Sequence, residues 1–122
     1  MKKKIAIFGS TGSIGKSTLS IINKNKNDFE VVLLSTNKNL AELKKQCKKF
    51  KPSYLIIGNN HSYNKFIREN KSKVKVYNNY NFLNKILKKK IDYTISAISG
   101  FGGLDPTLKI IPHTKTLAIA NK

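Results

Sequence analysis

Short apolar runs alternate along the chain with segments in which apolar residues recur at helical spacing. Residues 4–8 form the first of these runs and are a predicted buried strand, and residues 14–23 show the spacing of a helix. The alternation continues to the end of the chain. It predicts further strands over 30–34, 54–57, 73–77, 92–98 and 116–120, and further helices over 40–50, 61–70, 79–89 and 105–111.

This order of elements predicts an α/β fold of the Rossmann-like, doubly wound kind, in which helices cover both faces of one parallel sheet. Residues 73–77 alternate between apolar and polar side chains, so we expect this strand nearer an edge of the sheet. Asp105 followed by Pro106 predicts a capped helix start. We expect one domain over residues 1–122. Because no helix follows the last predicted strand, we expect the full gene product to be longer.

The first predicted strand runs into GSTGSIGKS, residues 9–17, which allows two interpretations. The phosphate loop of a nucleotide hydrolase or kinase needs a glycine five positions before Gly15, and that position holds Ser10, with Gly9 one place too early. No predicted strand ends in an aspartate that could assist a magnesium ion. The spacing therefore disfavours a phosphate loop, and we expect Lys16 to point to solvent.

The second interpretation is a dinucleotide site. A strand, a tight glycine turn and a helix N-terminus form an anion site, because unpaired backbone N–H groups and the positive helix end face one pyrophosphate. Gly9 would permit the turn, Gly12 would admit a phosphate close to the backbone, and Gly15 would let the helix pack on the strand. Thr11 and Ser13 can add hydroxyl donors. A strand-to-helix turn without any ligand is the alternative.

The end of the second predicted strand tests the cofactor interpretation independently. An NAD site usually carries an acidic residue about 20 residues past the glycines. Here LLSTNKNL offers Ser35, Asn37, Lys38 and Asn39 and no carboxylate. A carboxylate would repel a 2′-phosphate, whereas lysine, amide and hydroxyl donors would hold it, so the sequence favours NADP over NAD. The alternative for Lys38 is one more surface lysine.

Four unusual segments each follow a predicted strand: GSTGSIG, STNKN, SAISGFGG and ANK. They therefore fall on the carboxyl edge of a parallel sheet, where ligands bind. After the fifth strand, Ser99, Gly100, Gly102 and Gly103 would leave room for a nicotinamide and its ribose to pass the backbone. A flexible connection is the alternative for this segment.

The chain is strongly basic, since it has 24 Lys and Arg residues and only 6 acidic ones, which gives a formal net charge of +18. Such a charge suggests a polyanionic partner, which makes a basic nucleic-acid-binding module a further alternative. Arg68 is the only arginine, however, and a genome rich in A/T codons explains the lysine excess at least as well. Cys47 is the only cysteine and no apolar run could span a membrane, so we expect a cytoplasmic protein without a membrane partner.

Taken together, these motifs resemble the 1-deoxy-D-xylulose 5-phosphate reductoisomerase family. GSTGSIG, TNKN, SAISGFGGLDPTL and LAIANK occur in the family's order and at compatible spacing over the whole chain. The resemblance implies an NADPH-dependent oxidoreductase of the non-mevalonate route to isoprenoids. It also implies that this chain is only the N-terminal, NADPH-binding portion, which we expect to bind the cofactor without turnover.

The resemblance implies roles for individual residues. Those expected to contact the pyrophosphate and ribose are Thr11, Gly12, Ser13 and Ile14; those expected to hold the adenosine 2′-phosphate are Asn37, Lys38 and Asn39; Asn121 is expected beside the nicotinamide and Lys122 beside the substrate. The family often has glycine where Asn37 stands. Asparagine tolerates a left-handed backbone better than most residues, so we expect the turn to survive.

In the family, a divalent metal, magnesium or manganese, holds the substrate while its carbon skeleton rearranges, and NADPH then reduces the product to 2-C-methyl-D-erythritol 4-phosphate. The resemblance places the metal-binding carboxylates past Lys122, so we expect no catalytic or metal-binding residue within this chain. The 6 acidic residues are scattered, and His61 and His113 are expected at the surface. The full-length protein is expected to be a homodimer that binds a phosphorylated sugar.

Overall fold

A computed structural model describes residues 2–98 and 100–120 of the chain. Within them, 6 strands form one sheet in the order β4-β3-β2-β1-β5-β6, and every pair of neighbours is parallel. The elements are β1 Lys3–Phe8, α1 Ser13–Lys24, β2 Phe29–Thr36, α2 Leu40–Phe50, β3 Tyr54–Ile57, α3 Asn60–Glu69, β4 Lys75–Tyr77, α4 Leu83–Ile86, β5 Ile91–Ser96, α5 Leu104–Ile110 and β6 Thr114–Ile119, with 3₁₀ turns over Gly100–Gly103 and Ile111–His113.

The strand order is that of a doubly wound sheet. The chain builds outward from β1 to β4, returns to the other side of β1 to form β5, and then adds β6. Right-handed crossovers in opposite directions place the intervening helices on opposite faces. The predicted parallel sheet with helices on both faces is therefore confirmed, as is the edge position of the strand near residue 75.

Two apolar cores, one on each face of the sheet, show why the central strands are continuous apolar runs. On β1, Ile5 and Ile7 pack into the core beneath α1, α2 and α3, whereas Ala6 and Phe8 pack into the core beneath α4 and α5. Ala6, Ile7 and Phe8 have no exposed surface. A strand buried on both faces has no polar face to expose, as parallel sheets require.

The structure corrects two helix starts. The helix predicted over 79–89 is confined to Leu83–Ile86, so its end is also earlier than expected. Residues 79–82 are not helical, because the Asn79 side chain accepts a hydrogen bond from the Asn81 backbone N–H at 2.9 Å, which stabilises a turn instead. The expected cap at Asp105 is also wrong. Helix α5 begins at Leu104, its N-cap is Gly103, and the Asp105 carboxylate pairs with Lys109 at 2.8 Å.

The glycine turn after β1 brings α1 into direct contact with the strand end. Gly9 has a φ of +76°, a left-handed conformation that glycine adopts without strain. A Cβ on Gly15 would lie 2.5 Å from the Gly9 carbonyl oxygen and 2.5 Å from the Ser10 Cα atom. The roles expected for these two glycines are confirmed: one permits the turn, and the other permits the helix to pack on it.

Replacing Gly15 with alanine should destabilise the fold. The new methyl group would meet rigid backbone atoms, so we expect Gly15→Ala to lower the free energy of unfolding by about 1–3 kcal/mol, measured by urea denaturation. Gly102→Ala is the matched control, because its Cβ would approach only the Ile98 side chain, at 4.0 Å. Equal stability of the two variants would contradict the close packing described above.

Candidate functional site

An open cleft of about 750 Å³ lies along the carboxyl ends of the strands. It is bordered by the glycine turn after β1, the tip of β2, Gly58 after β3, residues 78–81 after β4, residues 97–98 after β5, and one side of α5. The expectation that the unusual segments share one edge is confirmed for the described residues. A groove of about 840 Å³ between α2 and α3 lies at the opposite edge of the sheet and lacks any glycine turn.

The N-terminus of α1 opens on this cleft without a capping side chain. Gly12 is the N-cap, no side chain of the described chain accepts from the first turn, and the turn contains no acidic residue. The first helical hydrogen bond runs from the Lys16 N–H to the Gly12 carbonyl at 2.9 Å. The N–H groups of residues 13–15 are therefore available to an anion, as the dinucleotide interpretation requires.

The structure places the expected pyrophosphate contacts around this helix end. Thr11 and Gly12 line the cleft. Ser13 is exposed at the first helical position and Ile14 is half-buried beside it. Lys16 is exposed, as predicted.

Hydrogen bonds join the glycine turn to the tip of β2. The Gly9 N–H donates to Ser35 Oγ at 2.9 Å, and the Ser10 N–H donates to the Ser35 carbonyl at 2.8 Å. The hydroxyl groups of Thr11 and Thr36 lie 2.6 Å apart. The segments expected to hold the pyrophosphate and the adenosine 2′-phosphate therefore form one hydrogen-bonded unit.

Tyr80, which was not anticipated from the sequence, packs against the ends of β1 and β2 next to the glycine turn. Its hydroxyl donates to Ser35 Oγ at 2.8 Å, and its ring meets Phe8 edge-on, with the ring centroids 5.0 Å apart. Burial raises the pKa of Tyr80 to about 12, although the Ser35 hydroxyl partly offsets that effect. No local pattern could reveal Tyr80, because its partner Ser35 lies 45 positions away.

At the tip of β2, the expected 2′-phosphate residues Asn37, Lys38 and Asn39 are all exposed. Asn39 has a structural task as well, since its side-chain oxygen accepts from the Glu42 N–H at 3.2 Å and caps α2. The left-handed backbone anticipated at Asn37 does not occur. Among the described residues, Lys51 is the one non-glycine residue with a positive φ.

Lys38 forms no ion pair with any described residue, so its ammonium group is not neutralised by a neighbouring carboxylate. The sequence contains no acid between Glu30, near the start of β2, and Glu42 in α2. The tip of β2 is therefore suited to an additional phosphate.

Other expected residues lie away from the cleft or outside the described ranges. Ser99, Asn121 and Lys122 belong to the undescribed positions. Asp92 is the second residue of β5, at the opposite edge of the sheet, where the Lys4 N–H and then Lys115 hold the pKa of its carboxyl group below the usual value. Within residues 2–98 and 100–120, no group of three or more His, Cys, Asp or Glu side chains could hold a metal ion.

The buried Tyr80 hydroxyl predicts a pH-dependent stability difference from Tyr80→Phe. Below about pH 10 the hydrogen bond to Ser35 should favour the wild type by about 1 kcal/mol. As the pH rises from about 10 towards 12, tyrosine ionises in the unfolded chain before it ionises in the folded one. The wild type should then lose up to about 3 kcal/mol relative to the phenylalanine variant.

Urea unfolding of the wild type and Tyr80→Phe across that pH range measures this difference. The many lysines titrate in both proteins, so their contribution cancels when the two free energies of unfolding are subtracted. A wild-type-to-variant difference that stays constant as the pH rises would show that Tyr80 ionises normally in the folded chain.

Comparisons with known proteins identify the family. Residues 5–122 match the family model described as 1-deoxy-D-xylulose 5-phosphate reductoisomerase. Curated proteins of that name from Pelagibacter ubique and Buchnera aphidicola are 53% and 41% identical to the chain, each over 98% of its length. A solved structure titled as the Zymomonas mobilis enzyme in complex with NADPH superposes with a TM-score of 0.87 at 31% identity, over 99% of the chain.

The chain spans about a third of these relatives: 32% of the Pelagibacter protein, 31% of the Buchnera protein and 32% of the Zymomonas chain. No helix in the described part of the molecule is long and apolar enough to cross a membrane. The match leaves the phosphate-loop and nucleic-acid-binding alternatives without support. With the fold, the glycine turn and the family model in agreement, the chain belongs to the 1-deoxy-D-xylulose 5-phosphate reductoisomerase family.

Proposed function

We propose that this chain is the NADPH-binding domain, over residues 1–122, of an enzyme that rearranges and reduces 1-deoxy-D-xylulose 5-phosphate to 2-C-methyl-D-erythritol 4-phosphate. One observation carries the proposal: the uncapped N-terminus of α1 opens on the same cleft as a β2 tip without carboxylates. The first feature suits a pyrophosphate and the second suits a 2′-phosphate. The NADPH complex of the Zymomonas relative gives independent support.

The residues fit a dinucleotide in size and in chemistry. A cleft of about 750 Å³ lies within the range of ligand sites in proteins. A Cβ on Gly12 would meet only the Gly9 carbonyl oxygen, at 3.6 Å, so the side of the turn at Gly12 is open to a ligand. The N–H groups of residues 13–15 and the Thr11 hydroxyl would bind the pyrophosphate.

The 2′-phosphate would lie at the tip of β2, against Lys38 and the amide groups of Asn37 and Asn39. When bound, NADPH supplies a hydride; the residues described here bind and orient it. The expected contacts of Asn121 with the nicotinamide and of Lys122 with the substrate remain predictions.

The remaining functions are proposed for the longer protein. The described residues offer no ligand set for magnesium or manganese, so we assign the metal and the chemistry at the substrate to the part that the relatives have and this chain lacks. The chain alone is expected to be inactive. A cytoplasmic location fits the single free Cys47, and a homodimer is proposed for the full-length protein.

Titration of the 122-residue chain with NADPH and NADH tests the cofactor assignment. We expect NADPH to bind more tightly, because only NADPH carries the 2′-phosphate. Lys38→Met should weaken NADPH binding roughly tenfold, the value of one charge-assisted contact, and should leave NADH binding unchanged. Isothermal titration calorimetry at fixed ionic strength gives both affinities.

Lys71→Met is the matched control, since it removes the same charge from the loop before β4, at the opposite edge of the sheet. Equal affinity of the wild type for the two cofactors would contradict the assignment of the β2 tip. Equal losses in the Lys38 and Lys71 variants would mean that only the general positive charge matters.

A further inference from the structure

Gln46 is a buried amide on α2 that reaches the glycine turn. The residue is 4% exposed, and its side-chain Nε2 donates to the Ser10 carbonyl at 2.9 Å and to the Glu42 carboxylate at 3.2 Å. Ser10 lies 36 positions earlier in the chain, directly after the left-handed Gly9. Gln46 is therefore a side-chain link between α2 and the turn.

The chemistry of its neighbours fixes the orientation of this amide. Both groups that face Nε2 are acceptors, a carbonyl and a carboxylate, so the flipped amide would place Oε1 against two other oxygens. In the favourable orientation Oε1 is buried and has no hydrogen-bond partner among the described residues. An unpaired buried acceptor costs free energy, which offsets part of what the two hydrogen bonds of Nε2 contribute to folding stability.

The hydrogen bond to Ser10 also orients the next N–H group. The Ser10 C=O and the Thr11 N–H belong to one planar trans peptide and point in opposite directions. Because Gln46 holds the carbonyl towards α2, the Thr11 N–H is directed away from α2. Thr11 lines the cleft, and its N–H has no partner among the described residues.

We propose that Gln46 is a positioning residue for cofactor binding: by anchoring the Ser10 carbonyl, it presents the Thr11 N–H as a donor to the pyrophosphate. The inference rests on the proposed NADPH binding. It adds a donor that the uncapped helix end alone would not supply. It also assigns the anchoring side chain to α2, outside the glycine motif itself.

A short chain of contacts extends from Gln46 to the tip of β2. Glu42 accepts from Gln46 through its carboxylate, and its backbone N–H is capped by Asn39. The turn expected to hold the pyrophosphate and the segment expected to hold the 2′-phosphate are therefore both attached to the first two turns of α2.

The decisive variant is Gln46→Met, which keeps the length of the side chain and removes the donor. We expect its dissociation constants for NADPH and NADH to rise by the same factor, about tenfold or ~1.4 kcal/mol, because both cofactors carry the pyrophosphate. The ratio of the two affinities should not change. Urea unfolding without cofactor should show little loss of stability, since one unpaired acceptor, Oε1, is removed while another, the Ser10 carbonyl, is created.

A second measurement does not depend on the cofactor. In ¹⁵N-labelled protein, Gln46→Met should shift the Thr11 amide resonance and speed its hydrogen exchange, while resonances from α3 and β4 stay in place. Gln46→Glu, which also lacks the donor and adds repulsion towards Glu42, should repeat both effects more strongly. Cys47→Ala is the control, because Cys47 packs against the core from the same helix and is not bonded to the turn.

The outcomes separate this inference from the proposed function. A wild-type chain that binds neither cofactor would contradict the proposed function. Wild-type binding that Gln46→Met leaves unchanged would overturn the inference alone. If the Thr11 amide resonance and its hydrogen exchange do not change in Gln46→Met, the inference is overturned whatever the cofactor affinities are. It is also overturned if Gln46→Met loses stability and affinity together and Cys47→Ala shows the same losses.

Discussion

The close approach of α1 to the end of β1 is the constraint on which the rest of this structure depends. Gly15 lies so near the Gly9 carbonyl and the Ser10 backbone that no side chain fits between them. This contact fixes where the helix begins and therefore where its free N–H groups point. The neighbouring β2 is tied to the same turn through Ser35 and Thr36. One backbone contact thus sets the geometry at the carboxyl ends of β1 and β2, where the proposed cofactor site lies.

Most of the fold follows from the sequence because its signals are local. Continuous apolar runs such as residues 4–8 and 54–57 predict strands buried on both faces, and a parallel sheet requires such strands. The main errors concern the bounds of two helices. At Asn79 a side chain bonds the backbone in a turn, and at Asp105 an expected cap pairs with Lys109 instead. In both places a short polar side chain had two possible partners, and sequence spacing does not choose between them.

The site was predictable only in part, and the reason is distance along the chain. The glycine turn and the end of β2 without carboxylates can both be recognised from a few adjacent residues in the sequence. Tyr80 bonds Ser35 at the tip of β2, 45 positions away, and Gln46 bonds Ser10 in the glycine turn, 36 positions away. These contacts exist only after the sheet has formed. Neither residue belongs to a local motif. Both could be found only once the topology had brought α2 against the glycine turn and the loop after β4 against the ends of β1 and β2.

The two halves of the proposed cofactor site differ in what holds the ligand. At the glycine turn the donors are backbone N–H groups, whose positions depend on Gly9, Gly15 and the packing of α1. At the tip of β2 the donors are exposed side chains, and no described ion pair engages Lys38. Substitution at Lys38 therefore leaves the core intact, whereas substitution at the glycines does not. In the proposed site, the preference for NADPH over NADH therefore depends on exposed side chains at the tip of β2. Of these, Lys38 forms no described ion pair, whereas Asn39 also caps α2.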